Sequence, residues 1–363
     1  MEKDEKFMRE AIRLAKKGLG RTSPNPAVGC VIVRNDEIIG RGFHKKAGAP
    51  HAEIEAIEDV KSQKKKLAGT TLYCTLEPCC HHGKTPPCTD AIIANGIVRV
   101  VYASCDPNPK ASGKGDKKLK KAGIEISSGV LEKEASELNA AYFKYIKKSI
   151  PLIIAKAALS ADGKLCALDG SSKWITGSEA RREAHRMRNI YDAVMVGAHT
   201  VALDNPRLTC RIQCGRNPVR IIVDSHITVP LEFKIFTHNA RVIVACLDTA
   251  PQSKVELIRD TGHEVLFCKK NKDGMVDLKD LIKKLGKSGI TSVMIEGGPG
   301  LLGSAFDTGI VDRTAFFFAP KIIGAGKTIT CKNKKGMSGA INFKDVKTKK
   351  LGNDILMLGR IKS

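Results

Sequence analysis

The sequence predicts an α/β protein made of two successive α/β units. Three observations predict it. Short apolar runs alternate with amphipathic stretches of helical period along nearly the whole chain. The alternation is interrupted where a long helical pattern ends at Ser149 and Pro151 follows. The chemistry-bearing residues also change there, from a His and Cys cluster before the break to glycine-rich and arginine-bearing turns after it. The boundary is set at Ser149, giving units 1–149 and 150–363. With 363 residues and 42% hydrophobic content, the chain can build two cores.

In the first unit, Phe7, Met8, Ile12, Leu14, Ala15 and Leu19 recur at helical spacing, which predicts a helix over 4–19. Arg21-Thr22-Ser23-Pro24-Asn25-Pro26 ends it. Residues 28–33 and 37–43 flank Asn35-Asp36 and read as a hairpin. A loop to Pro50 leads into a helix over 51–60, and a basic loop follows at 61–66. Strands are expected at 70–75, 97–102 and 124–127. A helical element is expected to start at Pro78-Cys79, and helices at 88–95 and 132–148. Asp106-Pro107-Asn108-Pro109 reads as a loop, and 110–122 as a basic, glycine-containing stretch. In the second unit, strands are expected at 152–159, 193–196, 219–224, 241–246, 264–267, 292–296 and 314–319, with helices at 178–189 and 278–285.

No apolar run reaches the ~20 residues needed to span a bilayer. The charged start, Met1-Glu2-Lys3-Asp4-Glu5-Lys6, lacks the apolar stretch of a signal peptide. A cytoplasmic protein with reduced thiols is expected, so the 12 Cys favour metal binding near His and small apolar filler elsewhere. The net charge of +23 is spread over both halves. Basic stretches do not alternate with aromatics, so pockets for phosphorylated small molecules are favoured over nucleic acid or membrane binding.

The first unit carries His51-Ala52-Glu53 and Thr75-Leu76-Glu77-Pro78-Cys79-Cys80-His81-His82-Gly83-Lys84-Thr85-Pro86-Pro87-Cys88. One imidazole and two thiolates suit zinc, and three protein ligands leave a fourth position for water, as in catalytic sites. Glu53 is then free to move protons beside the metal. This set is similar to that of the zinc deaminases, which activate water on a His and two Cys beside a separate Glu. The second half departs from the usual P-C-x-x-C, because eight residues separate Cys79 from Cys88. A structural zinc site completed by Cys80, His81 or His82 stays open at this point. Asn25 before a buried strand can read a ring edge, His44 and His82 are further contact candidates, and Lys84 suits a phosphate.

The second unit carries Ser160-Ala161-Asp162-Gly163-Lys164, Ser172-Lys173-Trp174-Ile175-Thr176-Gly177 and Gly197-Ala198-His199-Thr200 with Asp204-Asn205-Pro206-Arg207-Leu208-Thr209-Cys210-Arg211. It ends this series with Glu296-Gly297-Gly298-Pro299-Gly300-Leu301-Leu302-Gly303-Ser304, a glycine-rich turn ahead of an apolar helix that suits a phosphate. In this order, and with the H-H-G-K-T-P-P insert of the first unit, the motifs resemble the bifunctional riboflavin-biosynthesis deaminase/reductase family. The resemblance covers nearly the whole chain, and the long Cys–Cys spacing belongs to its pattern.

The resemblance implies a cytidine-deaminase-like α/β/α sandwich followed by a dihydrofolate-reductase-like α/β domain. It implies zinc-dependent hydrolysis of 2,5-diamino-6-(5-phosphoribosylamino)pyrimidin-4-one to the uracil, then NADPH-dependent reduction of the ribosyl group to ribityl, in a homo-oligomer. It implies zinc on His51, Cys79 and Cys88, with Glu53 as acid and base. Leu159, Trp174, Thr200, Asp204, Ser225 and the Gly298-to-Ser304 run fall on nucleotide positions. Ser172, Arg188, Leu208, Arg211 and Glu296 fall on substrate positions, the two arginines suiting the 5′-phosphate. Lys156 falls on a pocket lysine able to polarise or protonate the ribose oxygen. The competing reading is a nucleoside or nucleic-acid deaminase whose second unit is a non-catalytic accessory.

Overall fold

In the first unit, the sheet runs in the order β2 (Glu37–Phe43), β1 (Gly29–Arg34), β3 (Thr71–Leu76), β4 (Arg99–Ser104) and β5 (Glu125–Ser128). The β2–β1–β3 pairings are antiparallel and the β3–β4–β5 pairings parallel. This is a computed structural model, and it describes residues 2–82, 86–109, 112–237, 241–332 and 336–362. Chain contacts divide it into Met1–Ser149 and Ile150–Ser363.

Successive strand residues face opposite sides of a sheet. Cys30, Ile32, Leu72, Cys74, Val100 and Tyr102 accordingly form one buried layer with α2 (Ala52–Ser62), α3 (Cys88–Ala94) and α4 (Lys114–Lys121). Val31, Val33, Tyr73, Val101 and Ala103 form the other with α1 (Glu2–Ala15) and α5 (Glu132–Leu138). This is the α/β/α sandwich expected. The helix α1 starts with Glu2, Asp4 and Glu5 and ends with Arg13, matching its dipole, and closes in a 3-10 turn, Lys16–Gly18. It lies so close to β1 that a side chain at Gly29 would meet the Ala11 carbonyl.

Three expectations change. The helix expected over 132–148 is two, α5 and α6 (Ala140–Lys148). Asn139 breaks it by accepting the Ala27 N–H at 2.8 Å and donating to the Ala27 carbonyl at 2.9 Å. No helix starts at Pro78-Cys79, where 77–80 are irregular. The basic stretch after Ala111 contains α4, which has Leu119 as its only large apolar side chain and is recognised by no hydrophobic stripe.

In the second unit, seven parallel strands run in the order β11 (Glu264–Cys268), β10 (Val242–Leu247), β9 (Val219–Val223), β8 (Ala193–Gly197), β12 (Ser292–Ile295), β6 (Leu152–Ser160) and β13 (Arg313–Ala319). An antiparallel hairpin, β16 (Asp354–Ile361) and β15 (Phe343–Leu351), extends the sheet past β13. A small separate ribbon pairs β7 (Cys166–Ala167) with β14 (Gly326–Lys327). One face packs on α10 (Leu278–Lys287) and α11 (Pro299–Asp307), the other on α7 (Ser178–Ile190), α8 (Ala198–Asp204) and α9 (Gln252–Asp260). Helices on both faces explain why the parallel strands read as unbroken apolar runs. Among the described residues, no helix is long and apolar enough to cross a membrane.

Candidate functional site

His51 is the N-cap residue of α2, and Glu53 sits in that helix's first turn. Cys79 follows the end of β3, and Cys88 is the first residue of α3. These elements bring His51 Nδ1 to 3.2 Å from Cys88 Sγ and 3.5 Å from Cys79 Sγ. The three ligand atoms lie within 4.8 Å of one another. Nitrogen and sulfur on a tetrahedral zinc sit roughly 3.6 Å apart, given bonds of about 2.1 and 2.3 Å, so this donor set fits one zinc ion. Among the described residues no fourth Cys, His or carboxylate joins the group, and Cys80 lies outside it. That is the open coordination of a catalytic site rather than the closed set of a structural one. The Cys88 amide, at the start of α3, donates to Cys79 Sγ at 3.4 Å. Hydrogen bonds from the Cys88 side chain first, and from His51, hold the Cys79 thiol well below the ordinary thiol range despite its burial.

Glu53 is 4% exposed. Burial, and then the neighbouring Cys79 charge, push its carboxyl up to about 7. A carboxyl poised there both takes and returns a proton near neutral pH. It borders a cavity of about 380 Å³ that Asn25, His44, Asp106 and Tyr142 also line. Asn25 Nδ2 donates to His44 Nε2 at 3.2 Å, and His44 Nδ1 donates to the Pro50 carbonyl at 3.0 Å. This pattern fixes the neutral tautomer, and burial lowers the His44 pKa accordingly. Lys84 lies outside the described residues. Of the neighbouring histidines, His81 and not His82 borders the cavity; His82 is exposed. Among the described residues, His81 Nδ1 is buried without a hydrogen-bond partner.

Glu77, Asp106 and Tyr142 border the same cavity and were not singled out by sequence reasoning. Glu77 accepts N–H groups from Gly113 at 3.1 Å and from Asp106 and Asp116 at 3.4 Å each, clamping that loop to the end of β3. The available signals were Glu77 inside Thr-Leu-Glu-Pro and Asp106 inside Asp-Pro-Asn-Pro.

The second unit gathers its candidates at the carboxyl ends of its parallel strands, where ligands bind in such sheets. Glu296 follows β12 directly, Thr200 lies in α8 after β8, Ser225 just past β9, and Lys156 and Leu159 on β6. Arg188 grips Glu296 through two hydrogen bonds, 2.6 and 2.9 Å, and Lys156 Nζ stands 3.5 Å from the same carboxylate. Burial raises the Glu296 pKa, but Arg188 and Lys156 outweigh it and bring the carboxyl to about 2. Arg188 also donates to the Thr209 carbonyl at 3.1 Å, while Arg211 nearby in sequence is exposed. Leu208, between them in the chain, is buried. Ser172 Oγ donates to Asp204 Oδ1 at 3.4 Å.

Thr200 Oγ1 accepts the Gly298 N–H at 3.1 Å at the start of α11. Pro299 is in that helix's first turn, so the glycine run expected as a loop is largely helical. Gly300 has open space where a Cβ would stand. Leu301 covers Gly297, Leu302 points into the core, and Gly303 presses on the Thr330 backbone, with Ser304 exposed after them. Trp174 is 65% exposed, with the Arg181 guanidinium 4.5 Å from its ring centre. Ser225 is buried and its hydroxyl accepts the Val276 N–H at 3.0 Å. The open first turn of α11 and the exposed ring of Trp174 fit a dinucleotide's phosphates and a flat ring.

A family model described as the RibD C-terminal domain matches residues 151–357. Another, described as the cytidine and deoxycytidylate deaminase zinc-binding region, matches residues 1–104. The chain is 44% identical to the riboflavin biosynthesis protein RibD of Actinobacillus pleuropneumoniae over 97% of this chain and 93% of that one. It is 45% identical to RibD of Aquifex aeolicus over 98% of this chain and 97% of that one. Among solved structures, a diaminohydroxyphosphoribosylaminopyrimidine deaminase/5-amino-6-(5-phosphoribosylamino)uracil reductase from Thermotoga maritima matches with a TM-score of 0.90 and 41% identity, covering 99% of each chain. Acinetobacter baumannii RibD matches with a TM-score of 0.89 and 36% identity, covering 100% of this chain and 99% of that one. A reductase domain matched over most of the second unit removes the premise of a non-catalytic accessory. The chain belongs to the RibD family of riboflavin biosynthesis proteins, a zinc deaminase region joined to a reductase domain.

Proposed function

We propose that residues 1–149 hydrolyse the 2-amino group of 2,5-diamino-6-(5-phosphoribosylamino)pyrimidin-4-one, and that residues 150–363 reduce the ribosyl group of the resulting uracil to ribityl with NADPH. The observation that carries the first step is the buried Glu53, poised at about 7, beside a three-ligand His and Cys set. His51, Cys79 and Cys88 would hold a zinc ion, which would acidify a water to give the nucleophile. Glu53 would take one proton from that water and give it to the ring nitrogen, then take the proton of the hydroxyl now on the ring carbon and give it to the amino group, which leaves as ammonia while the carbonyl forms. Asn25 and His44 orient the ring, His81 offers its unpartnered nitrogen to the substrate, and Lys84 suits its phosphate.

In the second step NADPH supplies the hydride. The first turn of α11, Thr200 and Trp174 support binding of that cofactor. Leu159, Asp204, Ser225 and the rest of the glycine run belong to the same proposal. Lys156, held by Glu296, protonates the ribose oxygen as hydride arrives. Ser172, Leu208 and Arg211 form the phosphate end, where Arg188 also fixes Glu296. Twelve free thiols accord with a reducing cytoplasm, and a homo-oligomer acting on a phosphorylated small molecule completes the reading.

The test supplies the diaminopyrimidine phosphate and NADPH, and measures ammonia and NADPH oxidation separately. Equal amounts of both support the proposal. Ammonia without NADPH oxidation overturns the second step, and no ammonia overturns the first.

A further inference from the structure

The cavity beside Glu53 holds one acidic group that the proposed chemistry leaves without a task. Asp106 is 7% exposed and borders the cavity. Its Oδ1 accepts two hydrogen bonds, from the Asn108 amide at 2.9 Å and from the Tyr142 hydroxyl at 2.9 Å. Its Oδ2 has no partner among the described residues, yet it is not a sealed-off atom. A carboxylate oxygen at such a cavity is met by water, and a ligand that displaces the water loses affinity unless it brings a donor of its own. Tyr142, on α6, is itself buried and holds the carboxylate by its hydroxyl. Glu77 fixes the same loop by accepting the Asp106 and Gly113 amides. The acceptor is therefore pre-positioned by three separate elements.

We propose that Asp106 is a specificity-determining residue that accepts a hydrogen bond from the 5-amino group of the diaminopyrimidine ring, and that Tyr142 is its positioning residue. The inference rests on the deaminase reading above. In that reading the 2-amino group and the adjacent ring nitrogen are engaged by the metal side and Glu53. The remaining N–H donors lie together on the 5,6 edge, and an ionised carboxylate is the acceptor suited to such donors. A plain cytosine or adenine ring carries no 5-amino group, so an unmet Asp106 would count against those substrates.

The experiment compares the natural diaminopyrimidine phosphate with its analogue bearing hydrogen at carbon 5. Ammonia release is measured for wild type, Asp106→Asn and Tyr142→Phe, with bound zinc measured in each. Wild type should favour the natural substrate by roughly 10- to 100-fold in kcat/KM, the range of one hydrogen bond to a charged group. Asp106→Asn should lose most of that preference by slowing only the natural substrate. Tyr142→Phe should raise KM for the natural substrate with kcat little changed, and leave the analogue unaffected. Should Asp106→Asn fail to hold zinc, the Tyr142→Phe comparison decides. Equal discrimination by wild type and the zinc-loaded variants overturns the inference while leaving deamination standing. A wild type that releases no ammonia from either compound removes both together.

Discussion

Glu53 and Glu296 are both buried carboxyls, and their surroundings drive them in opposite directions. Glu53 meets burial and a thiolate, so its proton is held to about 7; Glu296 meets Arg188 and Lys156, so its charge is held down to about 2. The first suits proton transfer and the second suits fixing cations. Lys156→Ala is expected to abolish reduction of the deaminated substrate while NADPH still quenches the Trp174 fluorescence. Unchanged hydride transfer would show that Lys156 plays no part in it. Glu296→Gln should lower kcat/KM for that substrate roughly 10- to 100-fold, the range for losing a charge-assisted hydrogen bond, because Arg188 and Lys156 lose their anchor. His51, Glu53, Cys79 and Cys88 were legible in the sequence because two short motifs contain them. Glu77, Asp106 and Tyr142 were not, since they meet only when β3, α6 and the loop after β4 are assembled. The His81 and His82 pair shows the same limit: adjacent residues point to different surroundings, and composition does not say which faces the cavity.

At the scale of elements, the central strands of both sheets could be read from their apolar runs, because burial on both faces dictates composition. The C-terminal hairpin could not. In β15, Lys344, Lys347, Lys349 and Lys350 occupy an exposed edge strand, and lysines there discourage pairing with other chains rather than announce a strand. The short α8 and α9 carry too few apolar positions for a clear period. Two tertiary ties hold elements of the first unit in place. Asn139→Ala should destabilise this unit by roughly 1–3 kcal/mol in urea unfolding, because it strands both backbone groups of the buried Ala27. Asp4 on α1 pairs with Arg99 on β4 at 2.9 Å, and that hydrogen bond, with a second from Tyr73, lowers its carboxyl from 3.8 to about 2. The folded value lies below the unfolded one, so this stabilisation is complete above pH 3.8 and is lost as pH falls through about 2. Asp4→Asn should therefore cost about 1 kcal/mol near neutral pH, after allowance for solvent screening, and nothing below pH 2. A cost that persists at pH 2 would mean that the ion pair is not its source.

For the whole molecule, the account joins two chemistries in one chain, each built within its own unit. Stripping the metal with a chelator should end ammonia release and leave NADPH oxidation intact on substrate deaminated beforehand. Loss of both would show that the metal also supports the reductase unit. The most direct measurement of the central claim uses Glu53→Gln loaded with one zinc per chain. It is supplied first with the diaminopyrimidine phosphate and then with the deaminated compound. The account predicts ammonia release slowed by about 100-fold or more, as for loss of a general acid–base group, with NADPH oxidation on the deaminated compound at the wild-type rate. Ammonia release at the wild-type rate from the zinc-loaded variant would contradict it.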